Sequence, residues 1–213
     1  MTVALRSSEA MQTGTALPRS LTDARRQAQS CTRCPLYKHA TQTVFGEGAS
    51  HAPIMMVGEQ PGDREDIEGH PFVGPAGKLL DRALADCGID RGKIFLTNAV
   101  KHFKFEPRGK KRLHRRPNAG EIDACRWWLD LERRFVAPRV IVALGATALR
   151  GITGRATSIA SLRGKAQLLD DGVRLIATIH PSYLLRMPDR AAAAKEYDRF
   201  VGDLRLALRA ARA

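Results

Sequence analysis

"APIMMVGEQPGDREDIEGHPFVGPAGKLL", residues 52–80, joins a short apolar run to a turn rich in glycine and acid, then to an amphipathic pattern opened by Pro75. A short apolar run bounded by Gly reads as a buried strand, and Gly-Pro before periodic apolar spacing reads as a helix start. The same order recurs. Apolar runs at 93–100 ("KIFLTNAV"), 139–145 ("RVIVALG") and 174–180 ("RLIATIH") alternate with helical patterns at 75–88, 118–136, 146–154 and 189–213. Strands alternating with helices mark a parallel sheet covered on both faces. The sequence therefore predicts an α/β fold, a three-layer α/β/α sandwich around a central four-stranded parallel sheet. Residues 1–18 are polar and aperiodic and read as a flexible tail, leaving 19–213 as one domain.

Charge narrows the partner. Lys and Arg number 35 against 22 Asp and Glu, a net charge of +13, and a surface this positive draws phosphates over long range. Nucleic acid fits better than a membrane, since no apolar run approaches the ~20 residues a spanning helix needs. The first twenty residues lack the apolar centre of a secretory signal, so the chain reads as cytoplasmic and, by default, monomeric. Four cysteines in 213 residues make no disulfide scaffold, and the Cys31–Cys34 pair in "CTRC" reads as a metal-holding turn.

In open parallel sheets ligands sit beyond the carboxyl ends of the strands. The first strand runs into Gly58, Gly62, Gly74 and Gly77, which let backbone approach a ligand, although an ordinary strand-to-helix turn would also use them. The dinucleotide pattern Gly-x-Gly-x-x-Gly is absent there. Glu59, Asp63 and Asp66, taken alone, would be solvated loop carboxylates. The second strand ends at Asn98, whose amide pairs a donor with an acceptor and matches a pyrimidine edge. The fourth ends at His180, where Pro181 turns the chain away. Between the second strand and the next helix lies "KHFKFEPRGKKRLHRRP" (101–117), with eight Lys/Arg and one Glu around His114. A stretch this long and basic reads as a functional loop or a solvated one.

Together "GEQPGDREDIEGHPFVGPAGKLLDRAL", "TNAVK", "VIVALGATA" and "HPSYLLR" resemble the uracil-DNA glycosylase superfamily, specifically its iron–sulfur family 4 branch, over roughly residues 30–205. Gln60 and the basic insert ending in "KKRLH" resemble the UdgX-type proteins, which attach covalently through a loop histidine to the DNA whose uracil they release. The resemblance implies that uracil is flipped from the strand into a pocket at the strand ends. Phe72 would stack on the base, Asn98 would read its edge, and Gln60 with nearby backbone at Gly58 and Gly62 would hold it. His180 would stabilise charge on uracil O2, Glu59 would support an oxocarbenium-like sugar, and Asp63 and Asp66 match further acidic positions. His114 would then capture C1′. Lys110, Lys111, Arg112, Arg115 and Arg116 would grip phosphates and, by like-charge repulsion, keep His114 unprotonated. The absence of an evident wedge residue leans toward single-stranded uracil-containing DNA. A turnover family 4 glycosylase and a non-catalytic nucleic-acid-binding iron–sulfur protein are the alternatives.

The resemblance also implies a [4Fe–4S] cluster on Cys31, Cys34 and Cys125, favoured over Zn2+. Family 4 proteins carry a cysteine where this chain has His102, so His102 is the expected fourth ligand, with Cys87 as the other option.

Overall fold

Six strands form one sheet in the computed structural model, which describes residues 16–212. They are β1 (Glu47–Gly48), β2 (Ile54–Gly58), β3 (Ile94–Asn98), β6 (Val140–Leu144), β7 (Ala166–Leu168) and β8 (Arg174–Thr178), lying side by side in the order β1-β3-β2-β6-β8-β7. The four expected strands are the parallel centre, in register from Ile54 against Ile94 and Val140 to Leu144 against Thr178. The expected sheet of four is corrected to a mixed sheet of six, because β1 and β7 add antiparallel to its two edges. Strands of two and three residues carry too little alternation to be read from sequence. Of the tail expected at 1–18, residues 1–15 lie outside the described residues.

The central strands are buried on both faces, as their unbroken apolar runs require. On one face Ile54, Met56, Ile94 and Val142 pack with Leu80 and Leu84 of α3 (Pro75–Cys87) and Phe200 and Leu204 of α8 (Arg190–Arg212). On the other, Met55, Val57, Phe95 and Ile141 meet Leu129 of α4 (Ala119–Val136) and Leu149 of α5 (Ala146–Thr153). A third cluster lies outside the sheet, where α1 (Leu21–Ala28) packs Ala24 and Ala28 against Ile122 and Trp128 of α4. The layers are those of the expected sandwich. Short helices α2 (Asp63–Glu68), α6 (Ile159–Leu162) and α7 (Pro181–Leu185) fill the connections.

The basic stretch is not an irregular loop. It folds as a separate hairpin, β4 (Phe105–Arg108) against β5 (Lys111–His114), with Phe105 opposite His114. Its two-residue turn places Gly109 at φ 59, a conformation glycine adopts freely. Hairpin strands that face solvent need no apolar alternation, so the sequence pattern hid them. Among the described residues no helix is long and apolar enough to cross a membrane.

Candidate active site at the strand ends

Gly58, Phe72, Asn98 and His180 meet beyond the sheet. A Cβ on Gly58 would collide with Asn98 Oδ1 and come within 2.7 Å of Phe72 Cζ, so glycine there lets the end of β2 lie against both side chains. Phe72 has φ 58, rare for a residue with a Cβ. Gly77 accommodates it, since any Cβ there would strike the Phe72 carbonyl. The Phe72 ring stacks beside the His180 imidazole, with centroids 6.2 Å apart and planes 26° apart. Asn98, 3 % exposed, is steadied through its carbonyl by the buried Lys101 ammonium at 2.7 Å.

His180 caps α7 and its tautomer follows from its partners. The Ser182 main-chain N–H donates to Nδ1 at 3.2 Å. Because an N–H can only donate, Nδ1 is an acceptor, and the neutral ring carries its hydrogen on Nε2. Burial first, then the charges of Arg186 and His114, push the His180 pKa down to about 4. The ring is therefore a neutral Nε2–H donor at neutral pH.

Glu59 and His114 face each other from two elements. His114 Nε2 lies 3.3 Å from Glu59 Oε1, and Glu59 Oε2 accepts the Thr147 hydroxyl at 2.6 Å. The His114 side chain is half exposed, yet desolvation by the surrounding walls still lowers its pKa; Glu59 opposes that and Arg186 reinforces it. The direction is the expected one but the source is not. Burial is the main cause and Arg186, at the end of the HPS segment, is the cation that adds to it, in place of the five expected cations at 110–116.

Several residues expected on the ligand hold the hairpin instead. The Gln60 amide donates to the carbonyls of Lys104 and Arg115, and its oxygen accepts from the Lys104 N–H, all at 3.1 Å. Both of its N–H donors are thereby committed to the hairpin base, and the expected contact with the base gives way to a clamp. Asp66 is fully buried and accepts from Arg112 Nη1 at 2.6 Å and from Thr41 N. Asp63 takes Arg112 Nε at 2.6 Å. Both acids are engaged by Arg112, which is also stacked over Phe103 and Phe105 and is not a free phosphate contact. The Gly62 N–H is likewise spent, on Glu65 Oε2 at 3.1 Å. Lys110 and Lys111 are exposed at the hairpin tip. Arg115 pairs with Glu106, and Arg116 reaches Thr147 Oγ1 at 3.2 Å, with Glu59 at 3.9 Å.

Cys31, Cys34 and Cys125 lie in one buried cluster, each less than a tenth exposed. Trp128 Nε1 donates to Cys31 Sγ at 3.0 Å and the Lys101 N–H to Cys125 Sγ at 3.1 Å, as donors do around cluster thiolates. Burial above all pushes the Cys125 thiol up to about 12, with Lys101 opposing; a proton held that tightly leaves readily only to a metal. His102 supplies a further test of fit. Thr43 gives its single hydroxyl hydrogen to the Ala28 carbonyl at 2.9 Å, so its oxygen accepts from His102 Nε2–H, also at 2.9 Å. Nδ1 is left with a lone pair, buried and without a partner. That is the state of a ligating imidazole whose other nitrogen is fixed by a hydrogen bond. Among the described residues no three His, Cys, Asp or Glu converge closely enough to hold a single ion. Cys87 belongs to a different core and donates to the Val201 carbonyl at 3.3 Å, which removes it from this set.

Sequence reasoning missed Thr147, Ser182 and Arg186. Thr147 sits in the quoted "LGATA" and the other two in "HPSYLLR". Their polar side chains at strand ends were the available signal. Tyr183 and Leu185, 47 % and 50 % exposed, also stand just after His180, where no exposed wedge was expected.

The family model described as Uracil DNA glycosylase superfamily matches residues 45–205. Type-4 uracil-DNA glycosylase of Thermotoga maritima is 42 % identical over 161 residues, 75 % of this chain and 80 % of that protein. The enzyme of the same description from Archaeoglobus fulgidus is 34 % identical over 192 residues, 87 % of this chain and 93 % of its own length. The side-chain cluster at the strand ends and these likenesses agree: the chain belongs to the uracil-DNA glycosylase superfamily.

Proposed function

We propose that the protein excises uracil from DNA by cleaving the N-glycosidic bond, with single-stranded DNA preferred and a monomer acting. The neutral Nε2–H of His180 beside Phe72 and Asn98 is the observation that carries this reading. When the C1′–N1 bond breaks, the electron pair leaves with uracil, and the charge gathering on O2 meets that donor. The sugar is left as an oxocarbenium-like cation, which the Glu59 carboxylate stabilises. Asn98 reads the edge of the base and Phe72 covers its face. Lys110 and Lys111 reach the strand's phosphates. Cys31, Cys34, Cys125 and His102 would hold a [4Fe–4S] cluster, whose role would be structural, joining the N-terminal segment to α4 and to the chain just before the hairpin.

The relatives, named as Type-4 uracil-DNA glycosylases, support the turnover form, in which water captures the cation. The position of His114 favours a second ending. Its Nε2 lies 3.3 Å from Glu59, beside the place where the sugar cation would form. At rest Nε2 faces the accepting Glu59 carboxylate and holds the ring hydrogen; capture requires that hydrogen to move to Nδ1, after which the Nε2 lone pair forms the C1′–N bond and the resulting imidazolium gives its Nδ1 proton to solvent. An alkylated imidazole does not leave easily, so the chain stays on the DNA.

Uracil-containing single-stranded DNA and a denaturing gel separate the two. A protein–DNA band that survives heat and detergent, lost in His114→Ala while uracil is still released, supports capture. Repeated turnover without a band supports the water reaction, and a band that persists in His114→Ala removes His114 from the chemistry. No release of uracil by the wild-type chain sinks both.

A further inference from the structure

Thr147, the second residue of α5, is 2 % exposed and turns its hydroxyl to Glu59. That hydroxyl has two charged neighbours. Arg116 Nε, which can only donate, approaches Oγ1 at 3.2 Å. The single hydroxyl hydrogen is therefore free for Glu59 Oε2, 2.6 Å away. A chain of donors runs Arg116 to Thr147 to Glu59, and the second carboxylate oxygen is left facing His114 Nε2 at 3.3 Å.

The distances show what the hydroxyl prevents. Arg116 Nε stands 3.9 Å from Glu59 Oε2, outside hydrogen-bond reach although the charges attract. Thr147 occupies both partners in the space between them. Without its hydroxyl, the guanidinium and carboxylate would close into a direct pair. Glu59 would turn toward Arg116, away from His114, with its charge neutralised by hydrogen bonds that compete with a sugar cation. From this geometry we infer that Thr147 is a positioning residue, holding Glu59 toward His114 and keeping Arg116 from claiming the carboxylate. The inference rests on the proposed uracil excision and names a residue that sets its efficiency.

Single-turnover assays with uracil-containing single-stranded DNA compare the wild type with Thr147→Val and Thr147→Ser. Valine keeps the shape and removes the hydroxyl, and serine keeps the hydroxyl. Thr147→Val is expected to slow uracil release and adduct formation about tenfold, the order of one lost charge-assisted hydrogen bond. Thr147→Ser should stay within about threefold of wild type by the same measure. The decisive variant is Thr147→Val with Arg116→Gln, which removes the competing cation and should recover part of the lost rate. A purely structural role for Thr147 predicts no such recovery. The pH profile gives a second readout. Glu59 raises the His114 pKa, so turning the carboxylate away lets that pKa fall, and the acid limb of adduct formation moves to lower pH in Thr147→Val.

An active wild type with an unimpaired Thr147→Val overturns this inference alone, as does a double variant that recovers nothing. A wild type that neither releases uracil nor forms an adduct overturns the proposed function and this inference with it.

Discussion

His180 beside Phe72 and His114 beside Glu59 both flank the strand-end cluster, but their supports differ in kind. His180 is fixed by its own turn, through Ser182 two positions on. The hairpin that carries His114 is tied by Gln60, Asp63 and Asp66 across 44 to 55 positions of sequence. The difference separates two tasks. A donor that must sit at a fixed angle to a leaving oxygen is built from a rigid local turn. A side chain carried over the pocket is delivered on a hairpin, whose place depends on a few long-range ties and changes when any one of them is cut.

Cutting the Arg112 tie should separate the two histidines most. Asp66 is fully buried and keeps only the Thr41 N–H once the guanidinium is gone. Removing one partner of a buried pair costs about 3–5 kcal/mol. Arg112 is 23 % exposed, so Arg112→Ala is expected to lower unfolding stability by about 2–3 kcal/mol, measured by urea denaturation. Adduct yield should fall by at least about tenfold, because the hairpin loses its anchor on α2. Uracil release should fall less, because His180 keeps its own turn. Equal losses in both activities would mean that the hairpin shapes the base pocket as well.

Gln60→Ala tests the clamp with a smaller change. Three hydrogen bonds of 3.1 Å join Gln60 to the hairpin base, and their loss should cost about 1 kcal/mol net where water can replace them. The expected pattern is an adduct yield down by about fivefold, with uracil release within about twofold of wild type. A variant that loses uracil release first would return Gln60 to the base.

How much of this was legible follows from the same contrast. The parallel centre of the sheet was readable because each buried strand is a short apolar run followed by a helical period, and the order of such runs constrains topology. The places of Asn98, His180 and Glu59 at strand ends were readable from the order of the runs, but their roles came only from the resemblance, since a turn asparagine, a structural histidine and a solvated glutamate look the same in sequence. Gln60, Asp63, Asp66 and Arg112 were readable as chemically notable but not in their geometry. An amide beside glycines and a cation in a basic run look the same whether they meet a ligand or each other. Asp66 and Arg112 lie 46 positions apart, and nothing in either local pattern records that they pair. The hairpin was missed for a related reason, since its strands are organised by hydrogen bonds and ion pairs rather than by burial. His102 was legible from its place in a motif. The lone pair on its Nδ1 became visible only with Thr43 and Ala28 in position.

The finest distinction concerns what keeps His114 neutral. Burial lowers its pKa, Arg186 lowers it further, and Glu59 raises it. Arg186 also lies against the other histidine, donating to Ser182 Oγ at 2.9 Å and lowering the His180 pKa. Replacing Arg186 with Gln removes a positive charge from both rings, so both pKa values rise and a smaller fraction of each is neutral at a given acid pH. The acid limbs of adduct formation and of uracil release should therefore both move to higher pH. The assay is a pH series at saturating DNA, so that any phosphate contact of Arg186 affects binding rather than the limb. Lys110→Ala with Lys111→Ala should weaken DNA binding and flatten its salt dependence while leaving both limbs in place, since neither lysine acts on either ring. If the lysine pair moves the limb and Arg186→Gln does not, the hairpin governs the charge state of His114 after all, and the two histidines are tuned separately instead of by one shared arginine.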